Sequence, residues 1–225
     1  MDGSSLNLHI GTEISAIDAN EWDGLAGKEN PFISHAFLAA LESGGAVNQN
    51  GGWNAMHLLL RGNDGQLLGA MPHYLKHHSY GEYVFDHGWA NAFERAGGHY
   101  YPKLLGAIPF TPAGGPRLLV QNGRSDLKTA LAGGVVELLD KYQLSSAHIN
   151  FMPEQDAELL TNYGWLHRTG IQFHWHNQGF ANFDAFLESL SSRKRKNIRK
   201  ERASVAASGV TLLPLTGEAI TDIHI

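Results

Sequence analysis

The 225-residue sequence contains no cysteine. That excludes disulfide cross-links and every thiolate nucleophile or metal ligand, and it fits a reducing compartment. Long apolar runs are missing too. No window approaches the roughly 20 residues that a spanning helix needs. The opening MDGSSLNLHIG lacks the basic and apolar regions of a secretory signal. A cytoplasmic protein without a transmembrane segment is expected. The Gly-x-Ser-x-Gly elbow, the Walker A loop and the dinucleotide fingerprint do not occur. The net charge of −5 argues against general coating of nucleic acid.

What is present is a chain able to bury a core, with 43% hydrophobic residues. Its length suits one large domain, or one domain and the start of another. Glycine is abundant, at 26 residues against a usual share of ~7%. Much of it falls in pairs (44-45, 51-52, 97-98, 114-115, 133-134) that punctuate apolar segments. No internal repeat is found, and no linker-like stretch before about residue 180.

Alternation and turn chemistry predict strands at 6–10, 53–61, 67–76, 82–86, 117–120, 147–151, 165–177 and 210–215. Asn63-Asp64-Gly65 is the turn of a hairpin, and Pro72 places an edge or bulge in its return strand. Helices are predicted after Asp18 to residue 25, at 32–43, 90–96, 125–142 and 154–163, and from Asn182 to about 207. Pro109, Pro112 and Pro116 bracket an irregular loop. An antiparallel start followed by alternating helices and strands implies an α/β fold of α+β type, a mixed sheet layered with helices.

The densest chemistry is SSRKRKNIRKER at 191–202. It holds seven of the chain's 17 Lys and Arg, and one acid, Glu201, of 22. Such a run attracts phosphate or carboxylate groups. At about 100° per residue, Lys194, Asn197 and Glu201 share the apolar arc of Phe183, Phe186, Leu187, Leu190, Ile198 and Val205. Arg195, Lys196, Arg199 and Lys200 point elsewhere. Lys194 and Glu201 are therefore expected to face the body of the protein, where an unpaired charge is costly. They must pair, snorkel or meet a ligand; the expected role is Lys194 facing a phosphate, with Arg193 and Arg195 beside it and Glu201 orienting it. A break at Ser191-Ser192 would start a second helix and reset the phase, but within 192–207 alone Lys194, Asn197, Ile198, Glu201 and Val205 still share one face.

Two further groups carry candidate chemistry. Gln172, His174 and His176 alternate with apolar residues and, on a strand, line one face. They suit a polar substrate wall; as metal ligands they need a third partner, from His73, His77, His78 or His87, and no metal is expected. Tyr80, Tyr83, Asp86, His87 and Trp89, followed by Tyr100, Tyr101 and Lys103, offer aromatic rings with polar tips, suited to a sugar or peptide groove. No residue is marked as catalytic.

Four blocks, PFISHAFLAALE (31–42), LKHHSYGEYVFDHGWANAFERAGGHYYPKLLGAIPFTPAGGPRLL (75–119), IQFHWHN (171–177) and SSRKRKNIRKER (191–202), together resemble the FemAB-like proteins of the GNAT acyltransferase superfamily, which are mostly bacterial. The resemblance runs from about residue 31 to the end. It implies a GNAT-like acyl-CoA N-acyltransferase fold at 1–181, a basic connecting helix at 182–208, and the start of a second GNAT-like copy at 209–225. Similar proteins continue well beyond that point, so the chain reads as an N-terminal part. The implied reaction moves an aminoacyl or acyl group to an amine of a peptidoglycan-type precursor. No tightly bound cofactor is expected; acyl-CoA or aminoacyl-tRNA is the co-substrate. The Arg/Gln-x-x-Gly-x-Gly/Ala loop that holds an acyl-CoA pyrophosphate is not found. The implied partners are a phosphate-bearing or lipid-linked substrate and tRNA. The rival reading is a phosphate- or nucleic-acid-binding module without catalysis.

Overall fold

The computed structural model describes residues 6–224. Part of the stretch read for a secretory signal, residues 1–5, lies outside the described residues. The chain divides into two compact units, Met1–Gly170 and Ile171–Ile225. The division falls ahead of the 181/182 boundary read from the sequence.

The first unit is built on a hairpin that serves two sheets. Its outgoing arm is β2 (Trp53–Ala55) and β3 (His57–Arg61), and its return arm is β4 (Leu67–Met71) and β5 (His73–Lys76). Each arm breaks at one residue, Met56 and Pro72. Proline cannot donate to a ladder, and here it marks the change of sheet instead of an edge or bulge. The Met56 N–H donates to the His73 carbonyl at 2.8 Å, so the hairpin holds together across the break. The first sheet has the order β1-β3-β4-β7, with β1 at Asn7–Gly11 and β7 at Leu119–Val120, all antiparallel. The second is β2-β5-β6-β8, with β6 at Lys103–Gly106 and β8 at Ala147–Ile149. Its β6–β8 pair is parallel. A parallel neighbour needs a crossover, and α4 (Ser125–Tyr142) lies in that connection. The expected mixed α/β class is what the structure has.

Helices cover both faces of the central hairpin, so β3 is apolar on both sides, as a doubly covered strand requires. Leu58 and Leu60 join Leu127, Leu131 and Val135 of α4 and Leu160 of α5 (Glu154–Asn162) in one core. Leu59 joins Trp22 of α1 (Ala19–Ala26) and Leu38 of α2 (His35–Ser43) in another. Asp18 caps α1 by accepting from Asn20 N and Glu21 N, both at 2.9 Å. Asp18→Ala is expected to cost about 1 kcal/mol, read as a lower urea midpoint at unchanged slope; no change would mean that water replaces the cap.

The segment 82–86 is not a strand. Tyr83 and Phe85 take positive φ, 59° and 45°, because the carboxylates of Glu82 and Asp86 turn inward. Helix α3 (His87–Arg95) follows directly. Nor is 165–177 a strand: among the described residues no segment pairs with it, and Leu166, Ile171 and Phe173 are almost fully exposed.

In the second unit, Asn182 caps α6 (Phe183–Glu188), accepting from Ala185 N at 2.9 Å. The single helix expected from 182 to 207 is two, because the chain breaks at 189–191 before α7 (Ser192–Ala207). Phe186 packs edge-on or tilted against Trp175, Phe180 and Phe183. Among the described residues no strand pairs with 210–215, and Leu212 and Leu213 are exposed. Short 3₁₀ turns follow at Gly217–Ala219 and Asp222–His224. Among the described residues no helix is long and apolar enough to cross a membrane.

Candidate functional site

The antiparallel register of the second sheet sets Trp53 opposite Lys76, and Lys76 opposite Lys103. Two lysines therefore meet as cross-strand neighbours on one face, and both are fully buried. Like charges so placed repel, and burial alone makes each expensive. The loop 77–86 supplies the compensation. Lys103 Nζ donates to Asp86 Oδ2 at 2.5 Å and to Glu82 Oε2 and Ser79 Oγ, each at 2.9 Å. Asp86 Oδ2 also accepts from the Tyr100 hydroxyl at 2.8 Å, and Ser79 Oγ shares a hydrogen bond with the Tyr101 hydroxyl at 2.8 Å. Lys76 Nζ sits 3.6 Å from the Trp53 ring centroid and donates to the Tyr80 carbonyl at 3.2 Å. The result is a buried cluster of two ammonium and two carboxylate groups tying the loop and the start of α3 to the sheet.

The environments push these groups apart. Burial lowers the Lys76 ammonium to about 7; the Glu82 carboxylate opposes that shift and Lys103 reinforces it. Burial raises Glu82 above the usual carboxylate range despite the attraction of Lys103. Burial would raise Asp86 as well, but hydrogen bonds from Lys103, Ser79 and Tyr100, with the Lys103 charge, hold it well below that range. One oxygen of each carboxylate, Asp86 Oδ1 and Glu82 Oε1, has no hydrogen-bond partner among the described residues.

Of the residues singled out in the sequence, Asp86, Tyr100, Tyr101 and Lys103 meet here. His87 and Trp89 lie on the first turns of α3 and are exposed; Tyr80 and His87 rings stand 6.0 Å apart, and Arg168 lies over Trp89 at 5.8 Å. Gln172, His174 and His176 do not share a strand face, because there is no strand. They are exposed in irregular chain, with His174 Nε2 3.0 Å from Gln172 Oε1 and the two imidazoles stacked at 6.3 Å. No group of three His, Cys, Asp or Glu able to hold a metal occurs among the described residues.

The expectation that Lys194 and Glu201 face inward is corrected. Helix α7 buries none of its residues, and both side chains are exposed, as is Arg193; Arg195 is half-buried. The break at 189–191 resets the helical phase, so the apolar arc of α6 does not continue through α7. Instead Arg199 pairs loosely with Asp184 at 3.6 Å, and Arg202 lies over the Phe183 ring at 4.4 Å.

Sequence reasoning passed over Lys76, Ser79 and Glu82, and also Glu42 and His57. Glu42, on α2, accepts from His57 Nε2 and from the Ile14 N–H, each at 2.8 Å. His57 is fully buried on β3 between the rings of Trp22 and Tyr74. The available signal was a Lys or His inside an otherwise apolar strand, since such a residue must find a partner.

The FemAB-like family profile, described as peptidoglycan biosynthesis/recognition, matches residues 13–225, which include the buried cluster and helix α7. The chain belongs to the FemAB-like family. Among solved structures it resembles a Trypanosoma brucei acetyltransferase, at 15% identity and a TM-score of 0.42, over 76% of this chain and 100% of that one. It also resembles the ribosomal-protein-alanine N-acetyltransferase of Brucella melitensis biovar Abortus 2308, at 11% identity and 0.39, over 77% and 99%. Likeness at these scores carries no further conclusion. No curated protein matches this FemAB-like chain significantly.

Proposed function

We propose that this FemAB-like chain is part of an N-acyltransferase of GNAT type. It would transfer an aminoacyl or acyl group to an amine of a cell-envelope, peptidoglycan-type precursor. The reading rests on one observation, the family match across residues 13–225. In the reaction, a neutral amine attacks the carbonyl of the donor. A C–N bond forms, the ester bond of an aminoacyl-tRNA or the thioester bond of an acyl-CoA breaks, and the departing oxygen or sulfur takes up the proton lost by the amine. Catalysis of this kind is largely positioning and charge stabilisation.

Both donors, and a nucleotide- or lipid-linked acceptor, carry phosphates and belong to the cytoplasm or its membrane face. The exposed and half-buried bases of α7 suit them: Lys194 with Arg193 and Arg195 anchors phosphate, and Glu201 orients Lys194. In the first unit the rings of Trp89 and Tyr101 are assigned to substrate contact; in the second, Gln172, His174 and His176 are a separate assignment as polar groups. The organisation proposed is a GNAT-like domain at 1–181, the connecting helix at 182–208 and a second GNAT-like copy from 209.

The test is incubation of the full-length acyltransferase with a peptidoglycan precursor and either charged tRNA or acyl-CoA, read by the mass gain of the acceptor. No product with either donor would sink the reading. Lys194→Ala is expected to weaken donor binding while Lys196→Ala leaves it unchanged; the reverse would remove Lys194 from its role.

The concentration of seven bases within ten exposed or half-buried residues supports a second reading, in which α7 holds nucleic acid without catalysis. If all seven contacted duplex phosphates, log K would fall with log salt at a slope of about 6. A shallow slope would exclude this reading.

A further inference from the structure

Four bases of α7 have no part in the proposed reaction. At about 100° per residue, Lys196, Arg199, Lys200 and Arg202 fall on one half of the helix, with Arg195 among them, while Lys194, Ile198, Glu201 and Val205 fall on the other. All four are exposed. Among the described residues only Arg199 of the four has an acid partner, Asp184 at 3.6 Å, and both of those side chains are more than half exposed. Like charges one turn apart, such as Lys196 and Lys200, repel and cost the helix stability, so their concentration points to an anionic partner. An aromatic corner adjoins them. Arg202 lies over the Phe183 ring at 4.4 Å, and Phe183 and Trp175 both pack against Phe186. Trp175 is 65% exposed and Phe183 43%, and Ile171 and Phe173, just ahead of Trp175, are almost fully exposed. The positive charge is local to this unit. Residues 171–225 hold seven bases against five acids, whereas residues 1–170 hold ten against 17.

From this surface we infer that the second unit docks on an anionic lipid bilayer, with Lys196, Arg199, Lys200 and Arg202 on lipid phosphates and Trp175 and Phe183 at the boundary of headgroups and acyl chains. A cluster of bases is drawn to the negative surface potential of anionic lipids. Exposed Trp and Phe beside it settle at that boundary, and their apolar area adds to the electrostatic attraction. The bases extend about 14 Å along the helix from Arg193 to Arg202, which matches a plane of headgroups better than one phosphate. Nucleic acid would use the bases and waste the rest. Ile171 and Phe173 gain nothing from duplex phosphates. A single strand stacks its bases on open ring faces, but Arg202 covers one face of Phe183, and Phe186 crowds both Phe183 and Trp175. The inference does not rest on the acyltransferase reading, in which Lys194 on the other half of the helix holds the substrate phosphate.

The experiment is vesicle flotation of the full chain, comparing phosphatidylcholine vesicles with vesicles that also contain phosphatidylglycerol. Binding to the anionic vesicles alone is expected, and it should weaken as salt is raised. Lys196→Gln combined with Lys200→Gln is expected to weaken binding about thirtyfold, through the loss of two bases at the surface. Trp175→Ala is expected to weaken it severalfold with the salt dependence unchanged. All three positions are exposed, and far-UV circular dichroism checks that the variants stay folded. Binding of tRNA without binding of anionic vesicles overturns the inference in favour of nucleic acid. Equal binding to both vesicle types, no binding to either, or binding that the double variant or Trp175→Ala leaves unmoved also overturns it. Vesicle binding without acyl transfer leaves the inference standing and removes the acyltransferase reading; acyl transfer without vesicle binding does the reverse.

Discussion

Lys103→Met is expected to lower stability by about 3–5 kcal/mol, the usual penalty for removing one partner of a buried ion pair. Methionine nearly fills the lysine volume, so little of that loss comes from a cavity. What remains is two carboxylates, Glu82 and Asp86, buried without their shared ammonium. For a chain of this size the loss lowers the melting temperature by ~10 °C, with urea denaturation at pH 7 as the direct measurement. Adding Asp86→Asn and Glu82→Gln is expected to restore part of it, because neutral amides are cheaper to bury than charges. The pH dependence follows from the same cluster. Asp86 is depressed in the folded protein, so its contribution is present above its unfolded pKa and is lost as pH falls below it. The effect of Lys103→Met should therefore shrink in acid. A loss under about 1 kcal/mol would mean that water reaches the pair and that it behaves as a surface ion pair.

A second large effect is acid lability carried by buried His73 and half-buried His148. Burial lowers His73 to about 4, against the hydrogen bond to the Met56 carbonyl and with help from the nearby His57. Burial also lowers His148 to about 4, reinforced by Lys103 and Arg168 and opposed by Asp86. Between about 6.5 and 4 the unfolded chain takes up protons that the folded chain refuses. Stability therefore falls as pH falls through that window, by about 3 kcal/mol for each histidine. Urea midpoints at pH 7, 6, 5 and 4.5 measure it. His73→Gln keeps a donor for the Met56 carbonyl and removes the titration. Its stability curve should be flatter by about one proton across the window; an unchanged curve would mean that His73 is protonated in the fold.

The contrast between elements shows what local sequence carries. Asp18, Ser34 and Asn182 accept hydrogen bonds from the first turns of α1, α2 and α6, and α4 spans the predicted 125–142. These features depend on neighbours within a few residues, where propensity and capping act. Segments 82–86, 165–177 and 210–215 have strand-like alternation too. A strand also needs a partner ladder, however, and alternation does not supply one. In 82–86 the ladder loses to Lys103, a residue 17 positions beyond Asp86 that draws both carboxylates inward.

The candidate site divides along the same line. Its charge composition was readable: the basic run of α7, the absence of cysteine and the aromatic stretch around Asp86 all stand in the linear chain. Which charges are buried was not, because burial is set by the register that places Lys76 beside Lys103 and by helices packed from elsewhere. Glu42 looked like an ordinary helical surface residue until α2, β3 and the turn at Ile14 brought His57 and a backbone N–H to it. Family membership, the helix caps, the hairpin and the location of excess charge are legible in the linear chain, since each is encoded in residue type and short spacing. Which acids and bases are desolvated together depends instead on contacts between residues far apart in the chain, and folding alone brings those about.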